Sequence, residues 1–220
     1  RKPKDILLPI DINMAIGCVK SVIHSKVIGH SDECYLPIWN NFYHKQNGIF
    51  VGTEILLKNG QFKTNCSYGR YQNDEGRNRY DNSAIKILDA SGNCIRDASQ
   101  RWNIPYTVNN LKSMSYKVEI LEDKRKWKKY KSHFATDPKK FPFDGKHGML
   151  LTLYNDNSAT YLPVVAKDNK NKWSVTDYME HLSKKAGGRK DDWKHKDSEM
   201  LVYKSVSYIF YPNINEVIVK

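Results

Sequence analysis

Apolar residues at Ile16, Val19, Val22, Ile23 and Val27 recur at three- and four-residue steps, which predicts a helix over Met14–Ile28. After Asn47-Gly48 the pattern changes, and Ile49–Leu57 reads as a strand. Asn59-Gly60 is a dipeptide favoured in two-residue hairpins, where both positions take positive φ, and Gln61–Cys66 alternates as the return strand. Polar Gly69–Asp81 reads as an exposed loop. Ser83–Ile95 predicts a helix with Ser91-Gly92-Asn93 as an interruption. Ser115–Leu121 alternates Tyr116, Val118 and Ile120 against Lys117 and Glu119, the signature of a half-buried strand. His147–Leu153 and Ala159–Val165 predict a further strand pair around the turn Asn155-Asp-Asn157. Ser174 with Asp177 three residues on predicts a helix start of the capping-box type, running to Lys185 and ending at Gly187-Gly188. Met200–Phe210 predicts a final strand. Helices and strands mix without regular βαβ units, so the expected class is α+β, an antiparallel sheet with helices.

Length and composition narrow this picture. At 220 residues with 40% hydrophobic content, the chain has enough apolar material for a core, as one large domain or two small ones. No apolar run approaches the roughly eighteen residues of a membrane span, so no membrane partner is expected. Four cysteines (Cys18, Cys34, Cys66, Cys94) are too sparse for a disulfide scaffold. They fit reduced, mostly buried thiols in an intracellular protein, cytoplasmic or nuclear. Asn65-Cys66-Ser67 matches a glycosylation sequon, but nothing else looks secreted.

The net charge of +12 is uneven along the chain. Glu122–Lys140 has eight Lys and Arg against three acids, and Lys184–Lys196 has six against two, so the two segments supply nine of the twelve surplus charges. In the first, Lys124, Arg125, Lys126, Lys128, Lys129 and Lys131 interleave with Trp127 and Tyr130, as cations and stacking rings do in single-strand nucleic-acid grooves. The second carries Lys184, Lys185, Arg189 and Lys190 with Trp193. The opposing expectation is that residues 122–144 form a solvated basic connector between strands whose Trp127 and Tyr130 fold back onto the core.

The last third carries a resemblance. Gly145-Lys-His-Gly148, Ala159-Thr-Tyr-Leu-Pro163, His181-Leu-Ser-Lys-Lys-Ala-Gly187, Asp192-Trp193, Glu199 and Tyr203 resemble, in order and spacing, motifs of the AMMECR domain family. Asn47–Val51 with Asn59-Gly60 is similar to the family's opening hairpin, and Arg96-Asp97, Arg101-Trp102 and Pro105 to its Arg-Asp-x-Arg-Phe-x-Pro stretch. The resemblance spans about residues 14–211, which makes 1–220 a single AMMECR-like domain. It implies a mixed α+β fold with two unequal lobes around a cleft lined by the cysteine hairpin. It implies no reaction, because the family's biochemical role is unsettled. The family's hairpin return, Leu-Arg-Gly-Cys-Ile-Gly, is replaced here by Phe62-Lys-Thr-Asn-Cys-Ser-Tyr-Gly69. Asn65 stands where the family has glycine, and the spacing is shifted by one.

Three functions compete. In the leading one, an interaction module engages an acidic protein through its basic surface. In the second, Cys66 is a nucleophile in the interlobe cleft, with Lys63, Arg96, Asp97 and Arg101 positioning an anionic small molecule and His147 at the cleft or capping a turn. Against that stands a buried, inert thiol. The third is a nucleic-acid-associated accessory protein. Metal binding is not expected: Cys18, His24, His30 and Cys34 lack the tight spacing of structural zinc ligands. No phosphate-binding glycine loop occurs, so no cofactor is expected, and Gly148 and Gly187-Gly188 read as turn and cap glycines.

Overall fold

Helix α1 runs from Pro9 to Ile28, five residues ahead of the expected start. Proline suits a first helical turn, and Ile12 and Ala15 extend the buried stripe through Ile16, Val19 and Ile23. The computed structural model describes residues 9–29, 48–56, 58–60, 62–70, 83–101 and 107–220. They divide into two compact units, Arg1–Asp123 with Val206–Lys220, and Lys124–Ser205.

The first unit is built on strands β1 (Ile49–Leu56) and β2 (Phe62–Arg70), helix α2 (Ser83–Arg101), a short helix α3 (Val108–Leu111) and strand β3 (Ser115–Leu121). The last of the chain adds β8 (Ser205–Tyr211) and β9 (Glu216–Val219), giving a sheet ordered β2-β1-β3-β8-β9. Helix α2 outruns its expected end by six residues. The interruption is absorbed locally: Ser91 Oγ donates to the Ile87 carbonyl at 2.6 Å, and Asn93 Nδ2 to the Asp89 carbonyl at 2.9 Å. Ile87, Ala90, Cys94 and Ala98 of α2 pack with the α1 stripe and with Tyr116, Val118 and Ile120, the alternate residues of β3. Glu119, expected on a polar outer face, is only 2% exposed and accepts a hydrogen bond from the Ser207 hydroxyl. The inside–outside alternation therefore fails at this position, where Glu119 is covered and bonded to Ser207.

Three expectations in the first unit change. The last paired residues of β1 and β2 are Leu56 and Phe62, so Asn59-Gly60 is part of a longer connection than a two-residue turn, and of the two only Gly60 takes positive φ. Strand β2 continues to Arg70, four residues past Cys66 and into the stretch expected as loop; positions 71–82 lie outside the described residues. Gly69 belongs to this strand, and a Cβ there would come within 2.4 Å of the Ile49 carbonyl oxygen, so only glycine fits the approach. Cys18 and Cys94, expected as reduced thiols, are disulfide-bonded. A count of cysteines does not report which thiols a fold brings within the 4.4–6.8 Å or so between Cα atoms that a bond requires. The bonds remove the ground on which a reducing compartment was expected.

The second unit holds strands β4 (Lys128–Lys131), β5 (Gly148–Thr152), β6 (Ser158–Tyr161) and β7 (Glu199–Tyr203) in the antiparallel order β4-β7-β5-β6. Helices α4 (Pro163–Asn169) and α5 (Val175–Lys185) pack against β5 and β6. The strand expected over Ala159–Val165 stops at Tyr161, because Pro163 opens α4 at its first position, where the missing N–H costs nothing. The turn at Asn155–Asn157 forms as expected, with Asp156 at φ 65° and the Leu153 amide donating to the Asn157 carbonyl at 2.8 Å. The capping box forms too: Asp177 N donates to Ser174 Oγ at 3.1 Å, and Ser174 N to Asp177 Oδ2 at 2.8 Å. These bonds from Ser174 hold the Asp177 carboxyl below its ordinary range. Helix α5 ends as expected, Gly187 taking φ +82°.

The expected terminal strand is two strands, β7 and β8, in different sheets, with exposed Lys204 between them. Gly148 is not a turn glycine. It sits in β5, and a Cβ there would come within 2.2 Å of the Tyr203 ring. That ring also stacks on Trp127, centroids 4.6 Å apart, and its hydroxyl lies 2.6 Å from Thr160 Oγ1.

Candidate functional sites

The basic segments of the second unit meet. The expected connector contains a real strand: β4 pairs with β7 and forms the edge of its sheet. Lys128, Lys129 and Lys131 are exposed on it, an arrangement that also discourages edge-to-edge pairing with other chains. Glu199 of β7 receives Lys129 at 2.6 Å and Lys131 at 3.1 Å, and hydrogen bonding from Lys129 first, then Lys131, holds its carboxyl below the usual range. Beyond β4 the chain turns, and the Ser132 hydroxyl donates to the Trp193 carbonyl. Ser132 lies in the first basic segment and Trp193 in the second, so this contact joins two stretches some sixty residues apart. Lys124, Arg125, Lys126, Lys184, Arg189 and Lys190 are exposed around them. Lys185 is held, donating to the Thr160 carbonyl at 2.7 Å with its ammonium 4.9 Å from the Tyr161 ring centroid.

The interleaved aromatics face the other way. Trp127 is 8% exposed in its stack on Tyr203, Trp193 is 2% exposed, and Tyr130 packs edge-on against Phe141 at 4.9 Å. The expectation that Trp127 and Tyr130 fold back onto the core holds.

A cavity of about 340 Å³ opens in the same unit between the loop Phe143–Gly145, the end of α4 and the start of α5. Asp144 lines it and is fixed by His147 Nδ1 at 2.9 Å and by the Lys146 amide at 2.9 Å. Burial pushes the Asp144 carboxyl up, but these hydrogen bonds and the neighbouring positive charges outweigh it and leave it below its ordinary range. His147 therefore braces this turn, one of the two roles its sequence position allowed.

In the first unit, Cys66 pairs with Thr53, while the next partner of β1, Glu54, pairs with Thr64. Asn65 is the residue skipped, a β-bulge at the point where the family pattern is shifted. The side chains of Lys63, Cys66 and Arg101 lie outside the described residues, as do positions 102–106. Arg96 and Asp97 lie on α2, Arg96 exposed and Asp97 half-buried. A second cavity, of about 310 Å³, is lined by apolar side chains with Lys20, Lys112, and His24, whose Nε2 lies 2.8 Å from the Tyr116 hydroxyl. No signal in the sequence pointed to either cavity. Among the described residues no group of acidic, His or Cys side chains is placed to hold a metal, and Cys18 is bonded; His30 and Cys34 lie outside them. Among the same residues no helix is long and apolar enough to cross a membrane.

Residues 100–208 match the family model for the AMMECR1 domain. The fold is similar to that of the uncharacterized protein PH0010 from Pyrococcus horikoshii, with a TM-score of 0.69 at 14% identity, covering 96% of this chain and 95% of that one. No curated protein matches the sequence.

Proposed function

This chain belongs to the AMMECR1 domain family, matching its model over residues 100–208, and from that premise we propose that it is an interaction module whose basic surface takes an acidic segment of a partner protein. The observation that carries this is the joining of the two basic segments at Ser132 and Trp193. The unit Lys124–Ser205 contains 19 Lys and Arg against 10 Asp and Glu, a net +9, whereas the rest of the chain is +3. A concentrated field of one sign steers an oppositely charged partner and raises the rate of encounter.

The burial of Trp127 and Trp193 favours a peptide over single-stranded nucleic acid. Base stacking on exposed rings contributes about 1–3 kcal/mol per base at such sites, and these rings are turned inward. The direct test is fluorescence anisotropy with a labelled acidic peptide and an oligothymidylate of equal charge. The peptide should bind at low salt, weaken between about 50 and 200 mM, and lose about tenfold when Lys128, Lys184 and Lys190 are replaced by Glu. Tighter binding of the oligonucleotide at all salt concentrations would assign the surface to nucleic acid instead.

A further inference from the structure

The residues that line the cavity of about 310 Å³ all belong to the first unit, and come from α1, α3, β3 and the end of β8. Its volume is about twice the roughly 150 Å³ that admits one benzene molecule. Leu111, Met114 and Tyr116 are its buried residues. The polar atom they bring is already used, since the Tyr116 hydroxyl lies 2.8 Å from His24 Nε2. A ligand that reaches inside therefore meets carbon and ring surface, which favours an apolar body. Ile28 and Val108 are exposed and line the same cavity. Scattered singly such residues are ordinary, but here they extend one apolar hollow to the surface.

The charge around this hollow is of one sign. Lys20 and Lys112 line it and are exposed, and no lining residue among those described carries a carboxylate. Lys20 Nζ lies 5.9 Å from the centroid of the Phe210 ring, which sets the ammonium beside the apolar wall. Among the described residues neither lysine is in a salt bridge, so their charges are not spent within the fold. Exposed ammonium groups at the edge of an uncharged hollow suit a ligand with a carbon body and one negative end. The body loses its contact with water, while the anion stays at the wet edge and escapes the desolvation cost of a buried ion pair. A cationic ligand of the same shape would meet two like charges.

We propose that this cavity binds a small amphipathic carboxylate with an apolar body the size of one ring. The body lies against Leu111, Met114 and Phe210, and the carboxylate sits at the rim beside Lys20 and Lys112. The interaction is wholly non-covalent. It is separate from the basic surface proposed above and stands if that proposal fails.

The test is an NMR titration of the full chain with phenylacetate, phenethylamine and acetate. Phenylacetate should shift the methyl resonances of Ile28, Val108, Leu111 and Met114 saturably, and phenethylamine should not. Acetate, which lacks the ring, should bind at least about tenfold more weakly. Replacing Lys20 and Lys112 together by Gln should weaken phenylacetate about fivefold, the scale of two exposed ion pairs. Val108→Glu, which sets a like charge at the opening, should weaken it as well. Both variants should melt as the parent does, because all three positions are exposed. The proposal is overturned if phenethylamine or acetate binds as well as phenylacetate, if phenylacetate shifts no methyl group of the cavity, or if the double substitution leaves its affinity unchanged.

Discussion

The two units of this chain are held together by different chemistry. All four cysteines lie in the first, where Cys18 and Cys94 are disulfide-bonded within a core of aliphatic side chains from α1, α2 and alternate residues of β1 and β3. The second has no cysteine and depends on rings: Trp127 on Tyr203, Tyr130 on Phe141, and Tyr178 among Phe143, Tyr161 and Trp173. It also carries three times the net charge. Charge destabilises a compact state through self-repulsion, and dense aromatic packing offsets that where no covalent link is present. The proposed partner surface sits on the unit that has no cysteine.

Reduction should separate the two most sharply. Breaking the bonds at Cys18 and Cys94 should cost the first unit about 2–4 kcal/mol per bond, read as faster hydrogen exchange at the α1 and α2 amides. Amides of α5 should exchange as before. Equal acceleration in both units would mean that they do not differ in this way.

The converse break is Gly148→Ala. The added methyl would overlap the Tyr203 ring and push it from Trp127 and Thr160, at a cost of about 1–3 kcal/mol to the second unit. Denaturant melts followed by near-ultraviolet dichroism of the tryptophans should show it. An unchanged midpoint would mean the ring relaxes freely.

The smallest effect is a titration. Asp144 is ordinary when unfolded and depressed when folded, so the folded state binds fewer protons between the two values. Its stabilisation is complete above the ordinary carboxylate range, about pH 4, and is lost as pH falls through the folded value. Thermal melts of the second unit should therefore fall in acid, and Asp144→Asn should flatten that limb slightly. An identical acid limb in the variant would remove Asp144 from the account.

Much of this was legible from local signals. The strand over Ser115–Leu121, the Ser174–Asp177 cap and the Asn155–Asn157 turn are decided by neighbouring residues, and each forms where its pattern stands. What escaped depends on partners distant in sequence. Met200–Phe210 looks like one strand until two sheets claim its halves on either side of Lys204. Gly148 looks like a turn residue until Tyr203, 55 positions on, lies against it. The basic surface was visible as charge, but whether Trp127 stacked on a base or on Tyr203 is a question of tertiary packing. The cavity at Asp144 draws on three separated segments and leaves no pattern in the chain.

The most direct test of the interaction surface is an amide NMR titration of the intact protein with the acidic peptide. Shifts concentrated at β4 and at residues 184–190, lost on raising the salt, are the expected result. Shifts gathered in the first unit, or none at low salt, would contradict a partner surface on the basic unit.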